Sequence, residues 1–176
     1  MISTASAPPR PKLTRPVHLL AFGFGAGLLR PAPGTWGTLV AVPFAWSLAQ
    51  LDLVARCSVV LSLAVAGVWI CGRAGRDLGV ADHAGVVWDE IVGYLLAVLL
   101  FTWSWRLALF GFVLFRLFDI VKPPPVGWLD RRVHGGLGVM LDDLAAGMLA
   151  ALVLAAMAWG DWGVAFDPAL RQWWAQ

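Results

Sequence analysis

The chain has 176 residues, of which 60% are hydrophobic and 14% charged. Water-soluble domains carry about 25% charged residues, so this composition, with a mean hydropathy of +0.75, points to an integral membrane protein. A formal net charge of +2 is too small to argue for nucleic acid as a partner. Cys57 and Cys71 share one apolar stretch, about 21 Å apart on a helix that rises about 1.5 Å per residue, and support neither a disulfide nor a thiolate metal site.

Residues 1–16 are Pro-rich and basic and lack the apolar core and small-residue cleavage site of a signal peptide, which predicts a disordered cytosolic tail. Residues 19–29 are apolar but interrupted by Gly23, Gly25 and Gly27 and followed by Pro31 and Pro33. That is the pattern of a re-entrant or interfacial element. Five apolar segments follow, at residues 36–51, 54–71, 91–103, 105–118 and 144–159. A helix needs about 20 residues to cross a hydrocarbon core of about 30 Å, so short segments must draw flanking polar residues into their ends, tilt, or stop short. Trp103, Trp105, Trp159 and Trp162 lie near segment ends, where an indole keeps its N–H wet and its ring among acyl chains. The expected fold is all-α, a polytopic membrane helical bundle of about five short helices within residues 17–160, plus the re-entrant or interfacial N-terminal helix. Residues 161–176, with Trp162, Phe166, Trp173 and Trp174, are expected to form an interfacial C-terminal tail.

If all five segments cross, the region before the first and the loops at residues 72–90 and 119–143 emerge on one face. That face collects Arg10, Lys12, Arg15, Arg30, Arg73, Arg76, Arg116, Lys122, Arg131 and Arg132, whereas Arg56, Arg106 and Arg171 fall on the other. The positive-inside rule makes the first face cytoplasmic.

Three polar clusters meet there. In residues 23–38, GFGAGLLRPAPGTWGT, glycines let backbone N–H groups approach an anion, and Thr35 or Thr38 can cap a helix and add a hydroxyl donor. The run lacks the Gly-Lys-Ser/Thr of a nucleotide-binding loop, and alone it describes a turn into a helix. In residues 81–94, ADHAGVVWDEIVGY, Asp89 and Glu90 stand at a helix start, where the macrodipole favours a carboxylate. The dipole accounts for one acid better than for two. Adjacent helical residues point about 100° apart, so both serve one site only if the first turn faces it or one supports the other. Gly93, one turn below Asp89, lets another helix come close.

The third cluster, residues 115–147, reads FRLFDIVKPPPVGWLDRRVHGGLGVMLDDLAAG. Asp142 and Asp143 open an apolar helix, and Gly147 follows Asp143 by four residues, as Gly93 follows Asp89. Two acid-headed helices of this kind could gather carboxylates around a hard cation, which takes oxygen ligands. Asp119 arrives at the same interface from the fourth segment. Between these acids come Lys122, a helix-ending run of prolines, then Asp130, Arg131, Arg132, His134, Gly135 and Gly136. An arginine can grip phosphate with its fork and Lys122 can neutralise it as a point charge, while His83 and His134 can exchange protons near neutral pH. The combination suits Mg²⁺-assisted work on a phosphate at the membrane surface. There is no Cys-x₅-Arg loop and no Asp-x-Asp-x-Thr motif for a covalent phosphoenzyme route.

The strings GFGAGLLRPAPGTWGTL, DHAGVVWDEIVGY and FRLFDIVKPPPVGWLDRRVHGGLGVMLDD, followed by AAG, closely resemble the phosphatidylglycerophosphatase A family in order and spacing, over residues 21–147. The resemblance implies a multi-pass, Mg²⁺-dependent lipid phosphatase of the bacterial inner membrane, active on the cytoplasmic face. Its substrate would be phosphatidylglycerophosphate and its products phosphatidylglycerol and inorganic phosphate. His83, Asp89, Glu90, Asp119, Lys122, Asp130, Arg131, His134, Asp142 and Asp143 stand on motif positions of the family. Within that set, Asp89, Glu90, Asp142 and Asp143, joined by Asp119, are the expected metal ligands. Lys122 and Arg131, with backbone amides near Gly34 and Thr35, are expected to hold the phosphate. His134, with His83 as its competitor, is expected to protonate the leaving oxygen or orient water, and Asp130 belongs to the same catalytic group. The rival reading is a cation-coupled membrane carrier, which would use the acids as an ion site and bury them at mid-membrane.

Overall fold

The computed structural model describes residues 10–80 and 82–173. Its helices are α1 (Pro16–Ala21), α2 (Pro33–Leu48), α3 (Leu53–Leu78), α4 (Trp88–Val98), α5 (Trp105–Val121), α6 (Val126–Arg132), α7 (Gly135–Trp159) and α8 (Pro168–Trp173), with a 3₁₀ segment at Gly23–Leu28. Among the described residues the one β contact is an isolated bridge between Phe101 and Phe166, so the protein is all-α.

Local chemistry sets the helix ends. Asp52 caps α3 by accepting from the Ala55 backbone N–H at 2.9 Å, and Ser104 caps α5 by accepting from Leu107 at 3.0 Å. The first helical position of α2 is Pro33, whose missing N–H costs nothing there. Gly79 closes α3 in the left-handed conformation.

Each of the five apolar segments contains a helix, but the segments at residues 36–51 and 91–103 leave it at Leu48 and Val98. Among the described residues two helices, α3 with 26 residues and α7 with 25, are long and apolar enough to cross a membrane. The central element is α7, which packs on α3, α4, α5 and α6. Large apolar side chains point outward along several helices: Leu61, Val65 and Trp69 on α3, Leu109, Val113 and Leu117 on α5, and Met148 and Leu152 on α7. Exposed apolar side chains in this number mark surfaces that a membrane or a protein partner covers.

Two boundaries differ from the sequence expectation. The first is α3, which continues past Cys71 to Leu78, carrying Arg73, Arg76 and Asp77 beyond the apolar stretch. The second is α7, which begins at Gly135, so Asp142 and Asp143 lie two turns inside it instead of opening it. The glycine-rich run before them reads as loop, yet it is helical because it packs against the small residues of α3. The two cysteines, both on α3, are free.

The N-terminal element is built of two six-residue helical pieces, each too short to cross a membrane. The six-residue α1 packs on α3, with the buried His18 and Arg15 both reaching Asp77, at 3.3 and 2.9 Å. The tail expected at residues 1–16 falls partly outside the described residues, but Lys12 is tied down through its backbone N–H, which donates to His18 Nδ1 at 2.9 Å. At the opposite end, α4 is only 11 residues long. The space beyond it is filled by Phe101, Val164 and Phe166, and the buried Asp167 pairs with Arg56. Part of the expected interfacial tail is thus a plug for the bundle.

Candidate active site

The site begins with a helix crossing. A Cβ on Gly93 would lie 2.8 Å from the Asp143 carbonyl oxygen, and a Cβ on Gly147 would overlap the Gly93 carbonyl. Only two glycines let α4 and α7 touch backbone to backbone. Each glycine lies four residues after an aspartate on the same helix face, so the contact that joins the helices also sets Asp89 opposite Asp143.

Asp89, Glu90 and Asp143 each offer a carboxylate oxygen within 4.8 Å of the others. Asp89 is 8% exposed and Asp143 3%. Asp89 Oδ1, Glu90 Oε2 and Asp143 Oδ2 are buried and receive no hydrogen bond. Buried like charges without donors are strongly unfavourable. An all-oxygen set of this size suits a hard divalent cation, which would supply the missing positive charge. Arg116 closes one side, its Nη1 2.6 Å from Asp119 Oδ2 and 3.7 Å from Glu90 Oε1. Gly34, at the start of α2, closes another: a Cβ there would overlap the Glu90 carboxylate and come within 2.8 Å of Arg116 Nη1.

A second cluster forms around Asp142, the chain neighbour of Asp143 on α7. Lys122 Nζ donates to Asp130 Oδ1 at 2.6 Å and to Asp142 Oδ2 at 2.8 Å. Burial works against its ammonium, but those hydrogen bonds outweigh burial and hold its pKa above the ordinary lysine range. The Lys122 hydrogen bond likewise holds the Asp130 carboxyl below the usual carboxylate range. A cleft of about 80 Å³ opens beside this cluster, lined by Asp82, Asp130, His134 and Asp142 together with Val133 and Gly138. His134 is exposed there, at the N-cap of α7.

The family model for phosphatidylglycerophosphatase A matches residues 19–158. The chain belongs to the phosphatidylglycerophosphatase A family. It is 44% identical over 148 residues to phosphatidylglycerophosphatase A of Escherichia coli strain K12, covering 82% of this chain and 85% of that one. It is 42% identical over 149 residues to phosphatidylglycerophosphatase A of Haemophilus influenzae, covering 82% and 90%. No solved structure matches it.

All the residues of both clusters fall inside the phosphatidylglycerophosphatase A match, and the plug at Val164 to Asp167 falls outside it. Of the five carboxylates expected as ligands, three are grouped; Asp142 turns to Lys122, and Asp119 turns to Arg116. Asp119 remains close enough to act electrostatically on Glu90 and Asp143. His134 and Asp130 share the cleft, whereas His83 accepts from the Gly85 backbone N–H at 3.0 Å and packs its ring on Phe22. Thr35 spends its N–H on the Ala32 carbonyl, and Arg131 is exposed on α6. Sequence reasoning passed over Arg116 and Asp82. For Arg116 a signal was present: an arginine inside an apolar helix, three residues before an aspartate, needs a partner on its own face.

Proposed function

We propose that this protein is a multi-pass enzyme of the bacterial inner membrane that hydrolyses phosphatidylglycerophosphate to phosphatidylglycerol and inorganic phosphate at the cytoplasmic face. The observation that carries the reading is the convergence of Asp89, Glu90 and Asp143 with three buried oxygens that lack donors, in a chain 44% identical to a protein named for that phosphatase activity. The outward apolar side chains of α3, α5 and α7 support a bundle set in acyl chains, so that the lipid tails stay in the bilayer while the headgroup meets the acids.

Asp89, Glu90 and Asp143 would hold Mg²⁺, with Asp119 completing the acidic wall, and the bound ion would supply charge neutralisation of phosphoryl oxygens and a more acidic water. In the reaction a water oxygen bonds to phosphorus, the bond from phosphorus to the glycerol oxygen breaks, and that oxygen leaves with the electron pair and needs a proton. His134, exposed in the polar cleft beside Asp142, supplies it and takes up in return the proton that the attacking water gives up. Asp130 and Asp142 hold Lys122 at the cleft, where its ammonium offsets their charge beside His134. Protein purified in detergent should release phosphate from phosphatidylglycerophosphate when Mg²⁺ is present and stop on chelation. Turnover that ignores the chelator would remove the metal from this account, and no turnover at all would remove the phosphatase.

A further inference from the structure

We infer that Arg116 is a catalytic residue that grips the phosphoryl group, an inference that rests on the phosphatase reading above. A phosphate dianion approaching Asp89, Glu90, Asp119 and Asp143 meets a wall of like charge, and an arginine fork facing the site relieves it. Four other described cations of this end already have partners. Lys122 is held by Asp130 and Asp142, Arg15 and Arg73 pair with Asp77, and Arg132 lies over the Trp128 ring at 5.3 Å. Arg116 alone among the described cations is in ion-pair range of the grouped acids, 3.7 Å from Glu90.

Its surroundings are those of a pre-aimed donor. The side chain is 14% exposed and anchored by Asp119, one turn along the same helix. Its Nε–H is buried and has no acceptor, an arrangement that is costly unless a ligand completes it. The bare backbone of Gly34 lets the start of α2 lie directly against the guanidinium, since a side chain there would come within 2.8 Å of Nη1. Gly34 also belongs to the first turn of the 16-residue α2, whose positive dipole end favours the same anion. As the bond to the glycerol oxygen breaks, charge spreads over the phosphoryl oxygens, and the planar fork of Arg116 stabilises it where a point charge cannot.

The test uses the full-length protein in detergent, with Arg116→Lys and Arg116→Ala assayed for turnover, for inhibition by orthophosphate and for the Mg²⁺ concentration giving half-maximal rate. Both variants should lose turnover by about 100-fold or more, and orthophosphate should inhibit about tenfold more weakly or worse. The Mg²⁺ midpoint should stay put, and added guanidinium, but not methylammonium, should restore part of the Arg116→Ala rate. If Arg116→Ala does not fold, Arg116→Lys carries the test through the orthophosphate readout. Unchanged orthophosphate inhibition with a displaced Mg²⁺ midpoint would make Arg116 a positioning residue for Glu90 and overturn the inference alone. Wild-type protein that releases no phosphate with Mg²⁺ would overturn the phosphatase reading and this inference with it.

Discussion

Asp142 and Asp143 are chain neighbours on one helix, and the structure gives them different company. The Asp143 side chain faces α4 and joins Asp89 and Glu90, with its Oδ2 buried and without a donor. Asp142, turned about 100° away, gives Oδ2 to Lys122, keeps its buried Oδ1 without a donor, and lines the cleft with His134 and Asp130. One cluster is acid upon acid, incomplete by itself; the other carries its own lysine against its carboxylates. The difference separates a place that must receive positive charge from outside from a place that positions its own charges. It also predicts opposite effects on stability for the same chemical change at adjacent positions.

The largest effect belongs to Asp143→Asn. The substitution keeps the shape and removes one negative charge from the group of three. Loss of a ligand worth several kcal/mol in the transition state should lower turnover by about 1,000-fold or more. Because it also relieves repulsion among buried carboxylates, the thermal midpoint in chelator should hold or rise. Assay and thermal unfolding of one preparation check both, and a variant that is active, or that melts early without metal, would erase the contrast. Asp142→Asn should behave otherwise. It leaves Lys122 with Asp130 alone, so turnover should fall about 10- to 100-fold, as for residues that orient a site's working groups. Stability should drop by about 1 kcal/mol or less, since Lys122 is partly open to solvent.

The sequence carried one half of this contrast and hid the other. Helical spacing of four places Gly93 below Asp89 and Gly147 below Asp143, so each aspartate could be assigned to the face of a close-packing glycine from the chain alone. That the two glycines meet each other depends on which helices pack together, and spacing within a helix is silent on that. The start of α7 was obscured because a glycine-rich run has weak helical preference in isolation and gains its helix by packing on α3. With the start misplaced, both acids looked like helix-end residues. The division between Asp142 and Asp143 was equally illegible, because it is set by Lys122, twenty residues earlier and beyond a run of prolines. At the far end of the bundle Arg56 and Asp167 are 111 positions apart, and nothing local in either one announces the other.

The smallest expected effect tests the Lys122 side by pH. The Lys122 hydrogen bond holds the folded-state pKa of Asp130 below its ordinary value of 3.8. A depressed carboxyl contributes stability that is fully present above its unfolded-state pKa and is lost as pH falls through the folded one. Wild-type protein should therefore lose a small increment of stability, under about 1 kcal/mol for so exposed a pair, as pH drops from near 4 downward. Asp130→Asn, which cannot ionise, should lack that increment at neutral pH and converge with wild type in acid. Thermal midpoints of the two proteins measured in chelator across this range isolate the term, because the difference between them cancels the titration of the grouped acids. A gap that widens toward low pH would mean that Asp130 is not held as a carboxylate by Lys122, and the cleft beside His134 would then be missing one of its fixed charges.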